Sequence, residues 1–204
     1  MKIHQIFLER HAAVHSSSMN AEGWWKEEDR VWSNLTEAEL RCRPTPAHNA
    51  IAWVLWHMAR CEDVAVNTVI RGAAEVLDRN GWLDQLGISS RHIGTGATTA
   101  EVDVIRNAIN LTALRQYRAA VGRETQTWAA TLDFDSLDKL VTANETQRAI
   151  DKDDFGVEGA WVGPFWAKVT WTHATFLFWL AIEHNWYHIG EIRVIRSLLN
   201  HPGN

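Results

Sequence analysis

Between Asn49 and Arg71 the chain reads NAIAWVLWHMARCEDVAVNTVIR, with no proline or glycine until Gly72. Apolar side chains recur through it at helical intervals, so it predicts a long helix that ends at the glycine. Three further segments carry the same pattern. One runs from Ile3 to about Asn34, bent near Ser16 to Gly23, and precedes TEAEL, where Thr36 opens a capped turn with Glu39 at the capping-box position. RPTP then breaks the chain, because proline disfavours helical geometry in the residue before it. Another starts at Thr98 or Thr99, either of which can cap, and continues to about Leu132. The last covers about Lys168 to Leu199 and stops before HPG.

The intervening stretches are weaker. Gly81, Gly87, Gly94 and Gly96 punctuate the region from Gly72 to Thr98, which reads as a loop holding one short helix. DFDSLDKLVT reads as a short helix, and Ala143 to Pro164 as a long connection. Four long helices with almost no period-two alternation point to an all-α four-helix bundle, in one domain spanning 1–204. Twelve tryptophans are expected to fill a helical core in preference to an aromatic ligand cage.

A net charge of −5, with no cluster of Lys and Arg, argues against nucleic acid as a partner. The most apolar run, Phe176 to Ile182, is far shorter than the roughly 20 residues that span a bilayer, so no membrane partner is expected. The first residues, MKIHQIFLERHAAVH, lack the apolar core of a secretion signal. Cys42 and Cys61 are too few for a disulfide framework and suit reduced thiols in cytoplasm.

The chemistry rests on histidine. EHNWYH sets His184 and His188 four residues apart, on one helical face, in a stripe with Leu177, Leu180, Ala181, Ile192 and Ile195. Two buried imidazoles need partners for four ring nitrogens, which a metal and outer acceptors would supply. HxxxH alone is a weak signal, and a third ligand is needed. His57 is the best candidate, mid-helix on a face with Trp53, Val54, Cys61 and Val64. Three imidazoles would leave a position open to water or substrate. Asn185 stands where a zincin carries its glutamate, and no ExxH of a carboxylate-bridged di-iron bundle occurs. Glu62, Glu183 and Glu191 read as surface or supporting acids, and Cys61 as a buried inert thiol that stands one turn from His57. His4, His11 and His15, among Glu9, Arg10 and Ser16 to Ser18, are expected to be exposed. No catalytic base is identified.

AWVLWHMAR, the loop LGISSRHIGTGAT and EHNWYHIGEIR, in this order and spacing, resemble the DinB-like (DinB/YfiT-like) metalloenzyme superfamily. That resemblance implies an antiparallel bundle of up-down-down-up topology, with the metal triad on His57, His184 and His188 and zinc, nickel or iron as the divalent ion. Characterised members include bacillithiol transferases and mycothiol-dependent isomerases, while many carry the label of metal-dependent hydrolase, and homodimers are frequent. The expectation is a small-molecule substrate with a low-molecular-weight thiol as cosubstrate. A hydrolase using metal-activated water, or a protein that binds metal or ligand without catalysis, remains the alternative.

Overall fold

The computed structural model describes residues 3–23 and 25–201. In chain order its helices are α1 (Ile3–Val14), α2 (Glu27–Trp32), α3 (Glu37–Arg41), α4 (Ile51–Asp63), α5 (Trp82–Leu86), α6 (Thr99–Ala108), α7 (Leu111–Ala129), α8 (Ala143–Asp151), α9 (Val162–Lys168), α10 (His173–Phe178) and α11 (His184–Leu198). A π-helical segment, Val64–Ile70, continues α4, and another, Trp179–Glu183, joins α10 to α11. Among the described residues the extended pairing consists of one isolated antiparallel bridge, Leu140 with Thr172, so the expected all-α class holds. α4 packs on α7 and α11, and α1 packs on the same two, which closes a ring of four helical rods. No helix among the described residues is long and apolar enough to cross a membrane.

Capping chemistry sets most boundaries. Thr36, Thr98 and Thr142 each accept the backbone N–H three residues on, and Glu39, Glu101 and Glu145 accept the return bond from the cap N–H. The sequence reading merged two pairs of helices. The described residues between 15 and 26 carry no helix, so the first expected helix is α1 and α2, separated by more than a bend. Asn110 splits the third into α6 and α7: it adopts an extended conformation, its side chain accepts from the Ala113 N–H, and its own N–H reaches the Leu86 carbonyl at 2.8 Å. The connection expected from Ala143 to Pro164 contains α8 and the start of α9, and the last long helix begins at His173, capped by Thr172, instead of near Lys168.

Every residue from Ile51 to Ile70 is buried, including Arg60, Glu62 and Asp63. Charges there must be answered within the protein. The Arg60 guanidinium reaches Glu75 at 2.8 Å, Asp154 at 3.1 Å and Asp63 at 3.3 Å, and donates to the Arg91 carbonyl at 2.7 Å. Asp63 accepts from the Val76 and Leu77 N–H groups at 2.9 and 3.0 Å and from the Tyr117 hydroxyl at 2.7 Å. This network ties the loop after Gly72 to α4, and with it the segment Arg91–Thr95 that passes over His57.

Removing one member of such a network leaves the rest buried and unpaired, at a cost of about 3–5 kcal/mol. Asp63→Ala is therefore expected to lower unfolding stability by that amount in urea titration; a loss below about 1 kcal/mol would show that the loop is held by other means.

Candidate metal centre

His57 lies in the middle of α4, and His184 and His188 begin α11 immediately after its π-helical entry. The π turn admits an extra residue without ending the helix, and such turns are frequent at functional sites. The three rings converge. His184 and His188 bring their Nε2 atoms to 3.1 Å, and the His57 ring centroid stands 5.0 Å from that of His184 and 4.8 Å from that of His188. The stripe expected beside them, Leu177, Leu180, Ala181, Ile192 and Ile195, is buried throughout.

The far nitrogens determine which atoms face inward. His57 Nδ1 donates to the Ile93 carbonyl at 2.5 Å, which fixes the tautomer and leaves the Nε2 lone pair free. His188 Nδ1 pairs with the Glu191 carboxylate at 2.7 Å, and Glu191 in turn accepts from the Asn49 amide at 3.2 Å. This is the carboxylate–histidine arrangement that orients metal ligands. His184 Nδ1 is buried with no hydrogen-bond partner. Lone pairs brought this close repel one another unless a cation or proton lies between them, so the donor set suits a divalent ion.

Electrostatics keeps His57 and His184 in the neutral form that metal binding requires. Burial, then the neighbouring His188, pushes His57 down to about 4. Burial, then His57 and His188, holds His184 well below the ordinary histidine value. For Glu191 burial works upward, but the bond and charge of His188 prevail and hold its carboxyl below the usual range.

Aromatic rings wall the site. Trp53 stacks on His57 at 5.2 Å, Trp179 meets His184 edge-on at 6.4 Å, and exposed Tyr187 meets His188 at 5.1 Å. Five of the other tryptophans divide between core (Trp32, Trp56, Trp82, Trp166) and surface (Trp161). Gly94 runs so close that a Cβ there would lie 2.9 Å from the Trp53 ring and 3.7 Å from His57 Nδ1. Gly94 and Thr95 also line a cleft of about 520 Å³ bounded by His92, Glu101 and Phe155.

The donor atoms of Cys61, His57 and His184 lie within 4.8 Å of one another. Cys61 Sγ is 3.8 Å from His57 Nε2, and burial pushes its thiol up to about 12, so without metal it stays protonated. Of the three acids near the histidines in sequence, Glu183 is exposed, Glu191 supports His188, and Glu62 is fully buried facing α1. There it meets His11 and His15, which were expected on the surface and are instead wholly buried. Glu9, Arg10, Ser17 and Ser18 are exposed, while Phe7, His11 and Val14 share the inward face of α1. That spacing was the signal for burial. His4 is half-buried.

Two measurements test this geometry. Glu191→Gln keeps the shape but loses the carboxylate, and metal affinity in competition titration should fall 10–100-fold; an unchanged affinity would detach Glu191 from ligand orientation. In chelator-treated protein, His57 should titrate near 4 by NMR. A histidine depressed from 6.5 stabilises the fold fully above 6.5, and that contribution is lost as pH falls toward 4, because the unfolded chain takes up the proton first.

A protein-family comparison bears on this arrangement. Residues 22–192 match the model of the DinB superfamily. A solved structure described as a conserved protein from Enterococcus faecalis shares the fold, with 18% identity, a TM-score of 0.66 and coverage of 98% of each chain. No curated protein matches this chain in sequence. The family match covers most of the chain, including all three convergent histidines, and the chain therefore belongs to the DinB superfamily.

Proposed function

We propose that His57, His184 and His188 hold a divalent ion through their Nε2 atoms, and that the site carries a low-molecular-weight thiol whose thiolate, intact, forms a carbon–sulfur bond to a small electrophile while the thiol proton passes to solvent. The observation that carries the metal reading is the convergence of three rings, two of which have their outer nitrogens anchored, on Ile93 and Glu191. Zinc, nickel and iron all suit three imidazoles. When bound, the ion would supply charge stabilisation for a thiolate, the nucleophilic form of a thiol.

The chain's own residues favour sulfur over water as the nucleophile. Hydrolysis needs a general base within hydrogen-bond reach of the attacking water. The two nearest carboxylates are engaged: Glu191 by His188 and Asn49, and Glu62 by His11, His15 and Thr125. Trp53 and Trp179 present an apolar wall suited to a soft, weakly hydrated ligand. The segment Arg91–Thr95 holds His57 in one tautomer and borders a cleft of about 520 Å³.

Cys61 favours a second reading. Its sulfur, 3.7–3.8 Å from the His57 nitrogens, would close the fourth position if it joined the ligands, giving a binding protein without a reaction.

Untagged protein should contain metal that is lost in His57→Ala, His184→Ala and His188→Ala variants that remain folded. It should also catalyse saturable addition of a thiol to a model electrophile, with a fall of at least about 100-fold on chelation or in His188→Ala. Ester cleavage independent of thiol would replace this reading with hydrolysis. Metal bound with neither activity, and a vacant position appearing only in Cys61→Ser, would establish the closed site. Metal retained by all three histidine variants would overturn the triad.

A further inference from the structure

The structure assigns a second metal site, separate from the histidine triad, to the buried cluster of His11, His15 and Glu62, where a first-row divalent ion would bind as a structural element joining α1 to α4.

The donor atoms of these three residues lie within 4.8 Å of one another, and all three residues are completely buried. His11 and His15 stand one turn apart on α1 and its C-terminal extension, with their Nε2 atoms 3.1 Å apart. Two imidazole nitrogens that share one zinc at about 2.0–2.1 Å in tetrahedral geometry stand about 3.3–3.4 Å apart, so the observed separation needs only a small opening. The pair His184 and His188 has the same Nε2 separation, 3.1 Å. Glu62 offers both oxygens to the pair: Oε1 is 2.8 Å from His11 Nε2 and Oε2 is 3.1 Å from His15 Nε2. Two nitrogens and a two-oxygen carboxylate give four donor atoms without any contribution from solvent.

The surroundings hold these donors as a metal site requires. Thr125 donates to Glu62 Oε1 at 2.8 Å, and the Asn185 amide lies 3.4 Å from Oε2. Glu28 approaches His15 Nδ1 at 3.9 Å and is itself bound by the Arg118 guanidinium at 2.7 Å. It is placed to orient His15 from behind, as carboxylates orient metal-bound imidazoles. His11 Nδ1 and His15 Nδ1 have no hydrogen-bond partner, so the convergent donor atoms of the pair are the two Nε2 nitrogens. Gly122 of α7 makes room for the ring, since a Cβ there would lie 2.9 Å from His15 Nδ1 and Cε1. Arg118 is taken by Glu28, while among the described residues Glu62 is met by the two imidazoles, Thr125 and Asn185, so a cation held by the imidazoles would offset the charge of Glu62. Burial, against the pull of Glu62, lowers His15 to about 4, which keeps the ring in its ligating form at neutral pH.

The cluster differs from the triad in access. Its donors are sealed, so an ion there would enter as the chain folds and leave only when α1 opens. Zinc supplied during expression, with no metal-affinity tag, is therefore the probe. Anomalous diffraction at the zinc edge should show a peak within about 2.0–2.2 Å of His11 Nε2, His15 Nε2 and the Glu62 carboxylate. A double variant, His57→Ala with His188→Ala, should keep about one zinc per chain, and that zinc should resist chelator until the protein unfolds. No density between these residues, with Glu62 still hydrogen-bonded to both rings, would make the cluster a metal-free ion pair and overturn the assignment. So would a double variant that retains no zinc. Because the two sites give separate peaks, an empty triad leaves the result for this cluster intact.

Discussion

A helix that is buried on every side cannot leave a charge unanswered, and α4 carries three within four residues: Arg60, Glu62 and Asp63. Successive side chains on a helix point about 100° apart, so these three project in different directions. Arg60 and Asp63 gather the loop after Gly72 through Glu75, Asp154, Tyr117 and the Val76 and Leu77 amides. Glu62 faces α1 and meets His11 and His15. His57, one turn before Cys61, faces α11. The other rods and the main loop take their places by answering what α4 presents, and desolvation makes any other answer costly.

The electrostatic outcome differs from face to face. Toward α11 His57 is held below its ordinary value by burial and by His188, and His184 by burial and by His57 and His188. Toward α1 burial pulls the Glu62 carboxyl upward, but its contacts with His15 and His11 prevail and hold it well below the usual carboxylate range. On the loop side burial pushes the Asp154 carboxyl up to about 7 even beside Arg60. Each cluster meets its charges with groups close at hand, which suits a core where fields are poorly screened.

Much of this was legible in the sequence because helix periodicity and side-chain chemistry agreed there. The segment Asn49–Arg71 and the spacing of His184 and His188 place three histidines on inward faces, and the structure brings those rings together. Legibility failed where neighbours in sequence misled. His11 and His15 sit among Glu9, Arg10 and serines, yet their helical phase follows Phe7 and Val14, which decides burial. The break at Asn110 has no proline or glycine to announce it, only a capping side chain inside an unbroken apolar rhythm. α8 was announced by Thr142 and Glu145, a capping box whose polar helix hides the signal in composition. The loop contacts of Arg60 join residues up to 94 positions apart, which local pattern does not encode.

The π-helical segment Trp179–Glu183 has a bearing on how such a chain tolerates change in length. It separates α10, whose Phe176 and Leu177 are sunk in one half of the core, from α11, whose Ile189, Ile192 and Ile195 are sunk in the other. Each residue gained or lost in a regular helix turns everything beyond it by about 100°. A wide turn is where such a residue has been absorbed, so the angular setting of the histidine pair is independent of the apolar face before it. Insertion or deletion at this point acts as a rotational vernier: it would re-aim His184 and His188 around the bundle axis while leaving α10 seated where it is.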